Sequence, residues 1–358
     1  KGYGAVVHPP HRSPRHADRE DHPRTHLAPP KSEFSHSLSG EAPRMRTIVL
    51  ALAAVCAGSV SLAQDLRLFS VASGNVTGGY YAAARAICGV VNRESGGEIR
   101  CSPEPTSGSL YNLDAIAEKQ AEFASDWHRF AYEGVDVFAD VGGLPDIRSV
   151  MSLYPEALTI LTRADSADLL GRSVDIGHPS SGRHATIVRL LGALRLGEAN
   201  FTELTEFTDN AAINELCDGR LDAVVLIVGH PNAAVASALR DCDAAIRPFF
   251  GPDITSVLGE SSDYERTVIP QSSYPELEED VRTYAVMATV VTLENTDPVL
   301  VEALVGTVLH NLPELTSEAP ILSGLEPSKM ASEGLTAPLH PAAREAFETW
   351  GAEPPPGQ

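Results

Sequence analysis

From residue 66 onward, short apolar runs of period two alternate with amphipathic stretches of period 3.6, which is the signature of an α/β protein. Residues 66–72 alternate and predict a strand, and residues 73–79 (Ser-Gly-Asn-Val-Thr-Gly-Gly) are too glycine-rich for a regular element. Residues 80–94 predict a helix closed by Ser95-Gly96-Gly97, and residues 99–102 begin a second strand. A second small-residue loop, 106–109, leads into a helix over 110–119 and a short strand over 122–125. The pattern then recurs. Strands are predicted at 158–163 and 173–177, followed by the loop 178–182 and helices over 183–196 and 211–218. The fully apolar run 223–228 is a strand stopped by Gly229-His230-Pro231-Asn232, with a helix over 233–240 behind it. Residues 283–293 are β-rich, and 298–312 and 341–350 predict the last helices.

The first 63 residues read differently. One basic residue, Arg46, precedes an uncharged run from Ile48 to Val60 that closes on Ser61-Leu62-Ala63, the layout of a cleaved secretory signal peptide over 45–63. The run is too short for a membrane span, which needs about 20 apolar residues. Met45 is then the expected start, and residues 1–44, with six of the twelve His and no apolar periodicity, are expected to be a disordered or non-native upstream extension. Residues 64–358 carry 19 basic and 43 acidic side chains, a formal net charge of −24. Such a body repels nucleic acid and anionic membrane surfaces, and holding an anion would require focused local donors. An exported location favours disulfides among Cys88, Cys101, Cys217 and Cys242. Three pairings are possible, and the local one is expected: Cys88–Cys101 and Cys217–Cys242, each across a compact supersecondary unit.

Three loops share one design, a strand followed by Gly/Ser/Thr residues and then a helix: 73–79, 106–109 and 178–182. A helix N-terminus leaves backbone N–H groups unpaired and carries partial positive charge, and small residues let a ligand reach it. Each loop alone reads first as an ordinary N-cap. Three such loops divided over two units point to a cleft between them. Neither Gly-x-x-x-x-Gly-Lys-Ser/Thr nor Gly-x-Gly-x-x-Gly occurs, so no nucleotide cofactor is expected. Gly-x-Ser-x-Gly, His-Glu-x-x-His and Cys-x-x-Cys are also absent, which leaves hydrolase and zinc chemistry without support. His230 sits where a strand meets a helix, and reads equally as a ligand contact or a capping His. Trp127 reads equally as a ligand wall or as core packing.

The loop Ser73-Gly74-Asn75-Val76-Thr77-Gly78-Gly79-Tyr80-Tyr81 resembles the opening signature of the TAXI family of TRAP-transporter solute receptors. Thr106 to Leu113, Ala124-Ser125-Asp126, Leu153-Tyr154-Pro155-Glu156, Gly177 to Gly182, Val228 to Asn232 and Ile269-Pro270 follow in that family's order. The resemblance implies a type II periplasmic-binding-protein fold: α/β, two lobes joined by two crossover strands, with a ligand cleft between. Lobe one would be 65–157 plus 288–358 and lobe two 158–287, with crossings near 157–161 and 284–288. It further implies a periplasmic, monomeric, non-enzymatic receptor without a cofactor, which captures a small carboxylate such as glutamate and delivers it to a membrane permease. The carboxylate would be held by Thr77, Gly78 and Gly79 in lobe one and by Ser180, Ser181 and Gly182 in lobe two. Ser73, Gly74, Tyr80, Ser107, Ser109, Ser125, Asp126, Pro179 and Gly229 would complete the pocket, with Trp127 and His230 as walls. An enzyme or a sensory protein on the same two-lobed fold is the alternative.

Overall fold

The alternation at the start of the body becomes strand β1 (Arg67–Ala72), which buries Phe69 and Val71. Helix α1 (Gly79–Glu94) follows, and its Ala83, Ala84, Ile87, Val90 and Val91 form one buried stripe at helical spacing. The computed structural model describes residues 66–117, 123–126, 146–163, 168–258, 264–335 and 337–356. The expected signal peptide, the upstream extension and Trp127 lie outside the described residues.

Strands β2 (Ile99–Glu104) and β3 (Phe123–Asp126) flank β1 on either side and run parallel to it, with helix α2 (Ser109–Ala117) between them in sequence. Strand β4 (Ile147–Thr162) is much longer than its sequence suggested. The expected strand began at 158, but residues 147–157 already belong to it. Pro155 stands exposed opposite Met287 at a point where the ladder tolerates it. Beyond β4 lie β5 (Ser173–Asp175), α3 (Gly182–Ala193), β6 (Glu203–Thr205), α4 (Asp209–Cys217), β7 (Ala223–Val228) and α5 (Ala233–Asp241). Next come β8 (Ala245–Arg247), α6 (Pro252–Leu258), β9 (Glu265–Ile269) and β10 (Val281–Leu293). Helices α7 (Pro298–His310), α8 (Leu312–Glu318), α9 (Pro327–Met330) and α10 (Pro341–Trp350) close the chain. The helix expected over 298–312 stops two residues early, at His310, where Asn311 caps it and α8 restarts.

The sheet order is β2-β1-β3-β10-β4-β7-β5-β6, with β8 on β4 and β9 on β10. Its two sides repeat one plan. In β2-β1-β3-β10-β4, parallel strands meet an inserted antiparallel β10; in β6-β5-β7-β4-β8, parallel strands meet an inserted antiparallel β4. The long strands β4 and β10 therefore run through both sides. Residues 147–157 of β4 pair with β10, and residues 157–162 pair with β7. The class expected from the sequence, mixed α/β with sheet and flanking helices, is the one observed.

The buried cores follow the same division. One cluster draws on residues 69–154 and 288–352, packing α1, α7 and α10 together. Another draws only on residues 157–281, and a third takes residues from both stretches. Each side carries its own disulfide. Cys88 on α1 joins Cys101 on β2, and Cys217 at the end of α4 joins Cys242 after α5, as the local pairing required.

Candidate ligand-binding site

Five loops that leave the carboxyl ends of parallel strands meet round one cavity of about 140 Å³. The loop after β1 brings Gly74, Asn75, Gly78, Gly79 and Tyr80, and the loop after β2 brings Thr106 to Ser109. From the other side of the sheet come His178, Ser181, Gly182 and Arg183 after β5, Thr208 and Asp209 after β6, and Gly229 after β7. Glu156 enters from β4, one of the two strands common to both sides. In a sheet of this kind the carboxyl ends of the strands form the crevice where ligands are received.

The loops touch closely because they are small. Gly108 has φ +125°, and a Cβ there would lie 3.1 Å from the Cα of Ser181 across the cavity. A Cβ on Gly229 would lie 2.6 Å from Ile321 and 2.7 Å from the ring of Tyr154. Four helices begin at the cavity: α1 at Gly79, α2 at Ser109, α3 at Gly182 and α4 at Asp209, whose cap residue Thr208 makes no side-chain cap bond. The N-terminus of α1 follows Gly78 and has no side-chain cap, whereas at α3 the Ser181 hydroxyl accepts from the His184 N–H. Backbone N–H groups at α1 are thus open to an acceptor in the cavity.

Arg183 is the cavity's cation, and it is almost fully engaged. Its Nε donates to the Val225 carbonyl at 2.5 Å, Nη1 to Asp209 at 2.9 Å, and Nη2 to the carboxylate of the fully buried Asp175 at 2.5 Å. Asp175 in turn accepts from Thr205 Oγ1 and the Phe207 N–H, which ties β5 to the loop after β6. Gly177, at φ +97°, lets the Arg183 stem pass, since a Cβ there would sit 2.9 Å from Cδ. Glu156 is only 8% exposed and accepts a 2.6 Å hydrogen bond from the Tyr80 hydroxyl. Burial pushes its carboxyl up to about 8, against the lowering effect of the Tyr80 bond and with the Asp209 charge adding to the rise.

Of the residues expected at the site, Gly74, Gly78, Gly79, Tyr80, Ser107, Ser109, Ser181, Gly182 and Gly229 line this cavity. Ser73 does not. It is buried behind the loop, donating to the Glu104 carbonyl while its own carbonyl accepts from Thr106 and Asn112. Thr77 faces outward and bridges to Asn210 at the start of α4. Pro179 is exposed, and Ser180 bonds to the His178 ring at 2.7 Å. Ser125 and Asp126 end β3, opposite Val290 and Thr289 of β10. His230, the other expected wall, does not line this cavity. Its ring is held by Thr159 at 2.9 Å and by the Tyr274 hydroxyl at 2.6 Å, and burial lowers its pKa to about 4. It borders a different cavity of about 390 Å³, with Tyr154, Arg266 and Met287. Sequence reasoning missed Glu156, Arg183 and Asp209. A signal for Arg183 was present: a cation in the first turn of a helix opposes the dipole and needs buried acids to hold it.

Residues 71–351, from the end of β1 to the turn after α10, match the NMT1-like family. The chain belongs to the NMT1-like family. The match covers all five loops of this NMT1-like cavity. Among solved structures, the chain is similar to a protein from Bordetella bronchiseptica RB50, at 16% identity over 82% of this chain and 91% of that one, with a TM-score of 0.47. It is similar also to the periplasmic aliphatic sulphonate binding protein from Escherichia coli, at 12% identity, 72% and 77% coverage and a TM-score of 0.43. A nutrient binding protein from Burkholderia cenocepacia bound to methionine matches at 12% identity, 72% and 97% coverage and a TM-score of 0.42. These likenesses are distant, and what the NMT1-like cavity does rests on its own residues.

Proposed function

We propose that this protein is an extracytoplasmic solute receptor of TAXI type, which captures a small carboxylate in the loop-lined cavity and delivers it to a TRAP membrane permease. The observation that carries the reading is the convergence of five strand-end loops, from both sides of the sheet, on one polar cavity at the open N-terminus of α1. The ordered succession of sequence motifs supports the TAXI assignment within the NMT1-like family. In this reading residues 65–157 plus 288–358 form one lobe and 158–287 the other, with β4 and β10 as the hinge. Ligand binding draws the lobes together and presents a new surface to the permease. The role is capture by a monomer, without turnover or cofactor, in the compartment where both disulfides persist. A thermal-shift screen of the protein against organic and amino acids, followed by calorimetry, tests it. Stoichiometric binding of one carboxylate, recovered unchanged, is expected. Failure of every carboxylate to bind, or conversion of one, would overturn it.

A further inference from the structure

We propose that the cavity behind β4 and β10 is a second binding site, for a small uncharged aromatic molecule, and that its occupant holds the lips of the loop-lined cavity together from the far side of the sheet. The site goes beyond carboxylate capture; its effect on the lips rests on the two-lobed reading above.

The two cavities stand back to back. Side chains alternate along a strand, so β4 turns Glu156 to the loop-lined cavity and Pro155 and Ala157 away from it. Pro155 and Ala157, with Met287 and Ala285 opposite them on β10, form the floor of the cavity of about 390 Å³. One side is β9, through Arg266 and Val268. The other is the stretch 321–333, through Ile321, Leu325 and Met330. The cavity thus spans both lobes, as the first one does. Tyr154 and Ile321 form a common wall: they line the second cavity and press on Gly79 and Gly229 of the first.

The lining selects the ligand. His230 offers it ring surface without charge. The Asn232 N–H donates to the Tyr274 hydroxyl at 2.8 Å, and that hydroxyl donates to His230 Nδ1 at 2.6 Å. The Nε2–H then donates to Thr159 Oγ1 at 2.9 Å, which donates to the Ala157 carbonyl. Both ring nitrogens are engaged. Tyr154 adds a second ring, and Met287 and Met330 add two thioethers, a surface that favours an aromatic partner. The rim carries both signs, with Arg266 and the Lys329–Glu326 pair beside Glu265 and Glu333, so a charged ligand of either sign meets repulsion as well as attraction. Two lining residues, Ser152 and Tyr154, are 2% and 3% exposed, and their hydroxyls are buried without a hydrogen-bond partner among the described residues. A ligand with a donor and an acceptor beside its ring answers that deficit.

The lips of the loop-lined cavity touch in this arrangement. Asn210 donates to Thr77 at 3.0 Å, and Gly108 lies against Ser181. Bending at β4 and β10 that parts the lips narrows the space behind them. An occupant fitted to its present width therefore favours lips in contact.

The experiment is NMR on the full chain labelled at its methionine methyl groups, with acetanilide, indole and benzamide as probes. Of the four methionines, Met287 and Met330 line the cavity and Met151 does not. Saturable shifts are expected at Met287 and Met330 and not at Met151, with a Kd on the order of 1 mM. Benzoate, benzylamine and N-cyclohexylacetamide should bind at least tenfold more weakly than acetanilide. Amide hydrogen exchange, measured with acetanilide at saturation, should slow at least threefold over 73–79 and 178–182, which the probe does not touch. No saturable shift at Met287 and Met330 with any of the three aromatic probes overturns the site, as does equal binding of the charged or non-aromatic analogues. Saturable binding with exchange at the lips unchanged or faster overturns the coupling. No readout uses a carboxylate, so each outcome is distinct from failure of the capture reading.

Discussion

Two of the helix starts at the cavity, those of α3 and α1, are built in opposite ways. The α3 junction is internally satisfied: Ser181 caps the helix and Arg183 is locked between two acids and a carbonyl. The α1 junction is left open, with Gly78 at the cap, Gly79 at the first helical position and no side-chain acceptor. One end satisfies its own N–H groups and the other leaves them without a side-chain acceptor. A helix end that satisfies itself has less to offer a ligand, so the anion should sit closer to α1 than to α3.

Four changes test that contrast. The largest effect is expected at the α3 junction. Arg183→Met leaves Asp175 buried without its cation, and stability measured by denaturant unfolding should fall by about 3–5 kcal/mol. At the open end, Gly79→Ala would bring a Cβ within 2.5 Å of Ile321 and 2.9 Å of the Tyr154 hydroxyl. The overpacking should cost about 1–3 kcal/mol in the same measurement and weaken binding as well.

The third test is pH. The folded-state pKa of Glu156 is raised from 4.5 to about 8, so its contribution to stability is full below 4.5 and lost as pH rises through 8. His230 acts in the opposite sense. Its pKa is lowered from 6.5 to about 4, so its contribution is present above 6.5 and lost as pH falls through 4. The two slopes oppose each other between 4.5 and 6.5, and Glu156 dominates between 6.5 and 8. There the melting curves should show stability falling by up to about 1.4 kcal/mol per pH unit, a slope that Glu156→Gln removes.

The smallest pair compares hydroxyls at the two junctions. Ser181→Ala removes a cap and should cost about 1 kcal/mol, whereas Thr77→Ala, exposed and outside the cavity, should stay within about 0.5 kcal/mol. Equal costs at the two positions would dissolve the contrast.

Much of this was legible in the sequence where local rules decide. The run 223–228 is apolar on both faces and bounded by turn residues, and it is β7 to the residue. Helix α10 has Pro at its first position and Gly351 in the left-handed conformation at its end, and it too matches the expected 341–350. The small-residue loops were visible for the same reason, since close approach of backbones demands Gly and Ser. What was hidden depends on partners distant in the chain. The first half of β4 is a strand because β10, more than 120 residues later, pairs with it. Glu156 was missed as a site residue because nothing local reports its burial. His230 read equally as a ligand contact or a capping His because its partners, Thr159 and Tyr274, come from other strands and loops.

The core that joins α1 to α7 and α10 has a consequence for how the chain is made. Its residues come from 69–154 and 288–352, so its first half is synthesised well before its second exists. At roughly 5–20 residues per second, the ribosome needs on the order of ten seconds to supply the missing part. The cluster confined to 157–281 can assemble during that wait, whereas Phe69, Ile87 and Val90 cannot be covered by α7. The first-made apolar surface therefore stays uncovered until the last-made helix arrives, and a chain truncated before residue 288 would keep it exposed.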